Sequence, residues 1–247
     1  MSAHYTTVGW NANKLVYDGV VAVAVVAYIS IFIAIASHST TPYDDMTIRM
    51  RAYGSCAFLM LSFVLCVGPL ARLDRRFLPV LYNRRHFGVA TFVVALMHAS
   101  AVLGWYFGFS SNDPYIALLS SNPSFGRLAG FPFELFGAAA LVILALLATT
   151  SHDFWLSFLT PSIWKALHMS IYAAYVCVVA HAALGALLAP GFQPLQIVVV
   201  ACALTVVALH ALAAVRQSRA DHGADQNNDW IVVGPPDRIV EGRAVVV

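Results

Sequence analysis

Charged side chains are scarce in this sequence. Only 11% of the 247 residues are Asp, Glu, Lys or Arg, whereas 60% are hydrophobic. An ordinary soluble domain is about a quarter charged and closer to half hydrophobic. The composition therefore excludes a soluble globular protein and predicts one in contact with membrane lipid. A formal net charge of +2 indicates no nucleic acid or other polyanionic partner.

Paired cysteine motifs and nucleotide-binding motifs are also missing. The four cysteines lie inside apolar runs and form no CxxC pair, so we interpret them as packing residues. No GxGxxG stretch occurs, and the segment after the last apolar run is short, which predicts no flavin or nicotinamide site there. The first apolar run follows Lys14 without a convincing cleavage site, so we interpret it as a retained span and not a secretory signal.

Long apolar runs are what the sequence has in abundance. A helix needs about 20 apolar residues to cross a bilayer, and six segments reach or approach that length. They are Gly19–Ser37, Ala52–Ala71, His86–Gly108, Leu135–Ser151, Trp164–Ala189 and Pro194–Val215. Thr160 and Pro161 are typical N-cap and first helical residues for the fifth. The pattern predicts an all-α integral membrane protein, a bundle of six helices over residues 19–215.

Basic residues in the loops predict the direction of these spans. The second loop holds five arginines against one acidic residue, Lys165 begins the fifth span, and Arg216 follows the sixth. Loops rich in Lys and Arg remain on the cytoplasmic side. We therefore expect loops two and four, the N-terminal segment 1–18 and the C-terminus in the cytoplasm of a bacterial cell, with the spans in its inner (plasma) membrane.

The C-terminal part changes character after the sixth span. Residues 216–229 are polar and are expected to form a linker. Residues 230–247 contain two short β-rich runs around a Gly-Pro-Pro turn, which we interpret as opening strands of a soluble domain. Because the sequence stops on three valines, in what would be mid-strand, we expect it to be part of a longer architecture.

Histidines are the main chemical feature of the apolar spans. Five of the nine lie in or beside the third, fifth and sixth spans: His86, His98, His168, His181 and His210. A histidine there costs free energy unless its ring nitrogens have partners. A hydrogen bond between helices explains a single such residue equally well. Several on neighbouring helices favour a bound metal.

Helix geometry sorts these histidines into two levels. At about 1.5 Å per residue, His168 and His181 lie roughly 20 Å apart along the fifth span, so one metal ion cannot bind both. By depth, His98 is expected to pair with His181, and His168 with His86 or His210. On an ideal helix the side chains of His168 and His181 point about 140° apart, which leaves the inner pairing open.

Two histidines at one level favour iron in a porphyrin. A closed zinc site would need four ligands at the same depth, whereas a porphyrin fills four positions of its iron and leaves two for imidazoles. Small residues beside the histidines would make room for a flat macrocycle, although close helix packing explains them equally well. They are Ala95, Ala99, Ala101, Ala180, Ala182 and Ala183.

Two segments resemble a known membrane family. RRHFG at 84–88, followed by His98, is similar to the third helix of the ferric reductase-like transmembrane family. WKALH at 164–168, followed by His181, is similar to its fifth helix. Within the family, the resemblance is greatest to haem-binding membrane subunits of bacterial methionine sulfoxide reductase systems.

This resemblance implies one or two b-type haems and electron transfer across the membrane. It implies that His98 and His181 ligate one haem and that His168 ligates a second, for which depth suggests His86 or His210 as the opposite ligand. His86 departs from the position of the family's inner histidine. The segment 229–247 resembles the first strands of a Rieske-type domain, but the two Cys and two His of such a cluster do not follow in the sequence.

The sequence thus predicts an electron-transfer subunit that connects a redox partner protein or domain on the cytoplasmic side with an acceptor at or beyond the opposite face. One alternative is a self-contained quinol-oxidising or metal-reducing enzyme. Its pocket would lie in the outer loop near Asp113, Tyr115 and Arg127, with a quinone as candidate ligand. The other alternative is a non-redox transporter or scaffold in which the histidines bridge helices.

Overall fold

The computed structural model describes residues 12–38, 44–109, 113–127, 130–187 and 193–227. Within these ranges the regular secondary structure is entirely helical, with no strand. The prediction of an all-α integral membrane protein is confirmed. The tail at 230–247, which the sequence predicts to be β-rich, lies outside the described residues.

The helices follow one another along the chain with short connections. They are α1 (Ala12–Ser37), α2 (Asp45–Leu73), a 3₁₀ turn (Arg75–Phe77), α3 (Leu78–Tyr82), α4 (Arg84–Phe109), α5 (Pro114–Ser120), α6 (Glu134–Thr149), α7 (Asp153–Phe158), α8 (Pro161–Met169), α9 (Ile171–Ala182), a π-helical turn (Ala183–Leu187) and α10 (Gln193–Asn227). The six predicted spans correspond to α1, α2, α4, α6, the α8–α9 segment and α10.

Five helical segments of the described chain are long and apolar enough to cross a membrane, with Pro161–Gly185 counted as one. The predicted fourth span, α6, has 16 residues and is therefore about 24 Å long, less than the roughly 30 Å of hydrocarbon core. A sixth membrane crossing therefore stays a prediction.

The central helix of the bundle is α2. It contacts α1, α4, α9 and α10, and more than half of its apolar stretch is buried. Helix α1 lies at the periphery, and most of its residues are exposed. The main core cluster joins α2, α6, α9 and α10. Its buried members are Phe58, Leu61, Leu65, Cys66, Leu144, Ala174, Tyr175, Val199 and Val206. Two polar side chains, Ser62 and Tyr175, meet inside this core at 3.1 Å between their oxygens.

Loops two and four lie at one end of the bundle, called here the basic end. The Arg216 guanidinium at the end of the sixth span donates to the Leu73 carbonyl at the end of α2, with 3.0 Å between nitrogen and oxygen. The indole N–H of Trp164 in α8 donates to the Thr150 carbonyl at the end of α6, over 3.1 Å. The Arg85 guanidinium of loop two also lies 4.9 Å from the centre of the Trp164 ring, so these contacts place together the basic loops that the sequence assigns to one membrane face. The choice of face stays a prediction.

The predicted linker is a helix over most of its length. Residues 216–227 continue α10. Arg, Gln and Ala favour helix strongly, and the Gln217 amide donates to the Asp221 carboxylate one turn later, over 2.8 Å. The change to a polar composition therefore does not coincide with the C-terminal end of the helix.

The fifth span is interrupted near its start. Thr160 caps α8 through its side-chain oxygen, and Pro161 is the first helical residue, as the sequence predicts. The Ser170 hydroxyl donates to the Leu167 carbonyl at 2.7 Å, a local bond that competes with the helical hydrogen-bond pattern. The helix therefore breaks between α8 and α9, in the stretch that separates His168 from His181.

Candidate functional site

The structure brings the rings of His98 of α4 and His181 of α9 close together. The centroids of their rings lie 6.2 Å apart, and the ring planes are inclined at 78°. Both side chains are half-buried. Depth along the spans predicts this pairing, and the rings are close enough to act on one small group between them.

Hydrogen bonds fix the tautomer of both rings. His98 donates from Nδ1 to the Met50 carbonyl of α2 at 3.0 Å. His181 donates from Nδ1 to the Phe133 carbonyl, just before α6, at 2.9 Å. A carbonyl oxygen can only accept, so Nδ1 carries the proton in both residues and Nε2 keeps its lone pair. Metal-binding histidines are oriented by the same kind of bond.

The distance between the rings suits two imidazoles on opposite sides of one metal ion. Metal–nitrogen bonds of about 2 Å, with about 1.1 Å from each ring centre to its nitrogen, place the two centroids roughly 6 Å apart. No group of three or more His, Cys, Asp or Glu side chains gathers as a metal site anywhere in the described ranges. A metal held by His98 and His181 would take its other ligands from elsewhere, and a porphyrin supplies four.

Each of these rings also lies directly against a glycine of a neighbouring helix, Gly54 for His98 and Gly137 for His181. Neither glycine, nor the carbonyl groups of Met50 and Phe133, follows from the reasoning on the sequence. A signal was present, because an isolated glycine in a helical run often has a packing or functional reason. The sequence alone does not tell which side chain faces it.

A second cluster surrounds a cavity of about 410 Å³ at the basic end. His168 and His210 both line it, so the structure brings these two predicted residues to one space. Four basic side chains lie in the same wall: Arg72, Arg84, Arg85 and Lys165. The cavity can therefore receive a group that needs a nitrogen ligand and carries negative charge.

His168 presents a free nitrogen at this cluster. Its Nδ1 donates to the Trp164 carbonyl at 3.1 Å, and its ring stacks on the Trp164 indole with 3.9 Å between centroids. Its Nε2 is buried and has no hydrogen-bond partner among the described residues. Because a buried polar atom without a partner is costly, this nitrogen is suited to bind a ligand.

His210 and His86 are engaged with other side chains. His210 donates from Nδ1 to the Val206 carbonyl at 2.9 Å, so its Nε2 accepts the Tyr172 hydroxyl, at 3.2 Å. His86 meets the Asp18 carboxylate of α1 at 3.0 Å, and it is not among the residues that line the cavity. Of the two predicted partners of His168, the structure thus places His210 at the cavity and His86 beside α1.

One of the outer-loop residues proposed for a small-molecule pocket, Asp113, has a structural role. Asp113 caps α5, where its carboxylate accepts the backbone N–H groups of Tyr115 and Ile116. The Tyr115 side chain is exposed. A carboxyl group that the sequence analysis missed is Glu134, the first residue of α6, which is buried and accepts a hydrogen bond from Ser121 at 3.0 Å. It follows directly after Phe133, whose carbonyl holds His181.

The fold and the paired histidines define an integral membrane protein with a candidate redox centre between its helices. The sequence profile of the ferric reductase like transmembrane component matches residues 53–179, just over half of the chain. The chain therefore belongs to the ferric reductase-like transmembrane family, which indicates a membrane electron-transfer function. The match includes His98 and His168 and ends two residues before His181. No curated protein and no solved structure matches the chain.

Proposed function

We propose that this chain binds b-type haem and relays electrons across the membrane, from a donor at the basic, cytoplasmic end to an acceptor at or beyond the opposite face. The observation that carries the proposal is the closely spaced pair His98 and His181. Their rings are 6.2 Å apart on different helices, and each leaves an Nε2 lone pair. Membership of the ferric reductase-like family supports a redox role.

The protein's own part in this function is to hold and insulate the group. Haem supplies one-electron iron chemistry when bound. His98 and His181 would be its axial ligands. Their hydrogen bonds from Nδ1 to the carbonyls of Met50 and Phe133 keep both Nε2 atoms unprotonated and make them stronger ligands for the metal. The surrounding apolar helices exclude water from the site. Low polarity and ligand hydrogen bonding are the properties that set the potential of such a centre.

We extend the proposal to a second haem at the basic end, with His168 and His210 as ligands. The buried, unpartnered Nε2 of His168 supports this site, as does the cavity that both histidines line. The basic side chains in its wall suit the carboxylates of a haem edge. His168 lies about 20 Å from His181 along the fifth span, so each half of the membrane would contain one site.

The partners follow from this arrangement. Membrane lipid surrounds the exposed apolar faces of the helices. A redox protein or domain would dock at the basic end, with a quinone as the alternative donor. Reduction of the purified chain by quinol alone would identify the self-contained enzyme. The likeness to methionine sulfoxide reductase subunits and the Rieske-like tail remain predictions of the sequence.

A pyridine haemochrome assay with the haem-to-protein ratio tests the proposal. The purified chain should contain haem b, and His98→Ala and His181→Ala should each abolish the outer low-spin haem, since both axial ligands are required. Ser100→Ala is a matched control, because the exposed Ser100 hydroxyl of α4 donates a hydrogen bond to the Leu96 carbonyl of its own helix. Colourless protein from cells with ample haem would contradict the proposal and favour the non-redox alternative.

A further inference from the structure

We propose that Gly54 and Gly137 are positioning residues that aim the two outer histidines at their metal. The inference rests on the proposed haem ligation by His98 and His181. Its basis is a local arrangement that occurs twice, on two different helices. Each copy, called here a glycine seat, consists of a backbone carbonyl and the glycine four residues after it.

The first seat lies on α2 and receives His98. The Met50 carbonyl oxygen accepts a hydrogen bond from Nδ1 of His98, with 3.0 Å between nitrogen and oxygen. A Cβ atom added to Gly54 would lie 3.0 Å from both Nδ1 and Cε1 of the ring. The ring therefore rests on the helix backbone itself, at a separation that a methyl group would strain.

The second seat lies at the start of α6 and receives His181. The Phe133 carbonyl accepts the Nδ1 proton at 2.9 Å, and a Cβ atom on Gly137 would lie only 2.8 Å from Nδ1 and 2.9 Å from Cε1. The Phe133 ring also packs against the imidazole, with 5.3 Å between the centroids. This seat is the tighter of the two.

The spacing of four residues has a physical reason. In an α-helix the carbonyl of residue i accepts the N–H of residue i+4, and it has a second lone pair available. The Cα–Cβ bond of residue i+4 tilts towards the helix N-terminus, so that a side chain there would cover this carbonyl. A glycine uncovers it, and a histidine from the next helix can then donate to it.

Alanine at either seat should displace the ring and lengthen its bond to the carbonyl. The obstructed atoms belong to a ring close to its own backbone and not to the end of a flexible chain, so they cannot move aside easily. Loss of the hydrogen bond from Nδ1 makes Nε2 of the same ring a weaker ligand for the metal. The expected results are partial conversion of low-spin to high-spin haem and a positive shift of the midpoint potential. Both effects should be larger for Gly137→Ala than for Gly54→Ala.

The experiment uses the purified, haem-loaded full chain. Gly54→Ala and Gly137→Ala are compared with Gly19→Ala and Gly108→Ala, helical glycines whose added Cβ would meet nothing within 4 Å. Absorption spectra give the spin state, and a potentiometric titration gives the midpoint potential. The two controls should match the native chain. Seat variants with native spectra and native potentials would overturn the inference.

Thermal unfolding covers the case in which a seat variant binds no haem. Alanine is a better helix former than glycine, so instability should come from the ring contact alone. Gly54→Ala should lower the melting temperature of the chain but not of a His98→Ala background, which has no ring to strike. An equal decrease in both backgrounds would refute the inference. Absence of haem from the native chain would instead refute the proposed function.

Discussion

The buried Nε2 of His168 allows a single substitution to decide between one haem and two. The Trp164 carbonyl accepts a hydrogen bond from Nδ1. The other ring nitrogen, Nε2, is therefore an acceptor, and it is buried without a partner in the described part of the chain. Such an atom costs about 1–3 kcal/mol. His168→Phe removes both nitrogens and keeps an aromatic ring that can stack on the Trp164 indole, as the imidazole does now.

The two hypotheses predict opposite results. If His168 binds a second haem, the variant should lose half of the haem, keep the outer low-spin band and melt at a lower temperature, because bound ligand stabilises the folded state. If nothing binds at His168, haem content should not change. Removal of the unpartnered nitrogen should then raise the free energy of unfolding by up to about 1–3 kcal/mol. We expect the first result.

Haem content and melting temperature can be measured on the same preparation by pyridine haemochrome and thermal unfolding. His86→Phe is the matched control, because His86 contacts Asp18 and does not line the cavity. It should leave haem content unchanged. An unchanged haem-to-protein ratio in His168→Phe would refute the inner haem and confine the site to His98 and His181. Loss of all haem would refute the separation into two levels.

Three further predictions concern topology, the inner site and the core. A cysteine in place of exposed Arg76, in a cysteine-free background, should resist membrane-impermeant thiol reagents applied from outside, whereas one in place of Arg127 should react; the reverse would invert the topology. Tyr172→Phe should increase haem retention at limiting haem, because the tyrosine hydroxyl occupies Nε2 of His210; a lower retention would contradict this. Ser62→Ala removes a buried hydrogen bond to a tyrosine of α9 and should lower the free energy of unfolding by about 0.5–2 kcal/mol, as measured by thermal unfolding in detergent; an unchanged value would contradict the role of that bond.

Depth was enough to predict the outer pair. The third and fifth spans run in the same direction, and counting residues from their basic ends puts His98 and His181 at similar heights. The structure places their rings 6.2 Å apart. Their height depends only on the rise per residue, which varies little between helices. Similarly, the length and composition of the apolar runs were enough to predict the helical architecture.

Rotation about the helix axis was harder to predict, and the inner pairing depends on it. The break at Ser170 lies between His168 and His181 and changes the relative azimuth expected for these two residues on an ideal helix. The contact of His86 with Asp18 depends on where α1 packs, which no local pattern reveals. For the same reason, Gly54 and Gly137 were recognisable as unusual residues but not as neighbours of particular histidines.

The central claim is axial ligation of one iron by His98 and His181, and electron paramagnetic resonance of the oxidised, purified full chain tests it most directly. Two imidazoles in the observed arrangement predict six-coordinate, low-spin iron. Because their planes are inclined at 78°, the signal should be the strongly anisotropic type of nearly perpendicular ligand planes. In a His168→Phe background, which removes the proposed inner haem, this signal should disappear in His98→Ala and in His181→Ala. A native chain whose iron is all high-spin, or a low-spin signal that survives either substitution in the His168→Phe background, would contradict the claim.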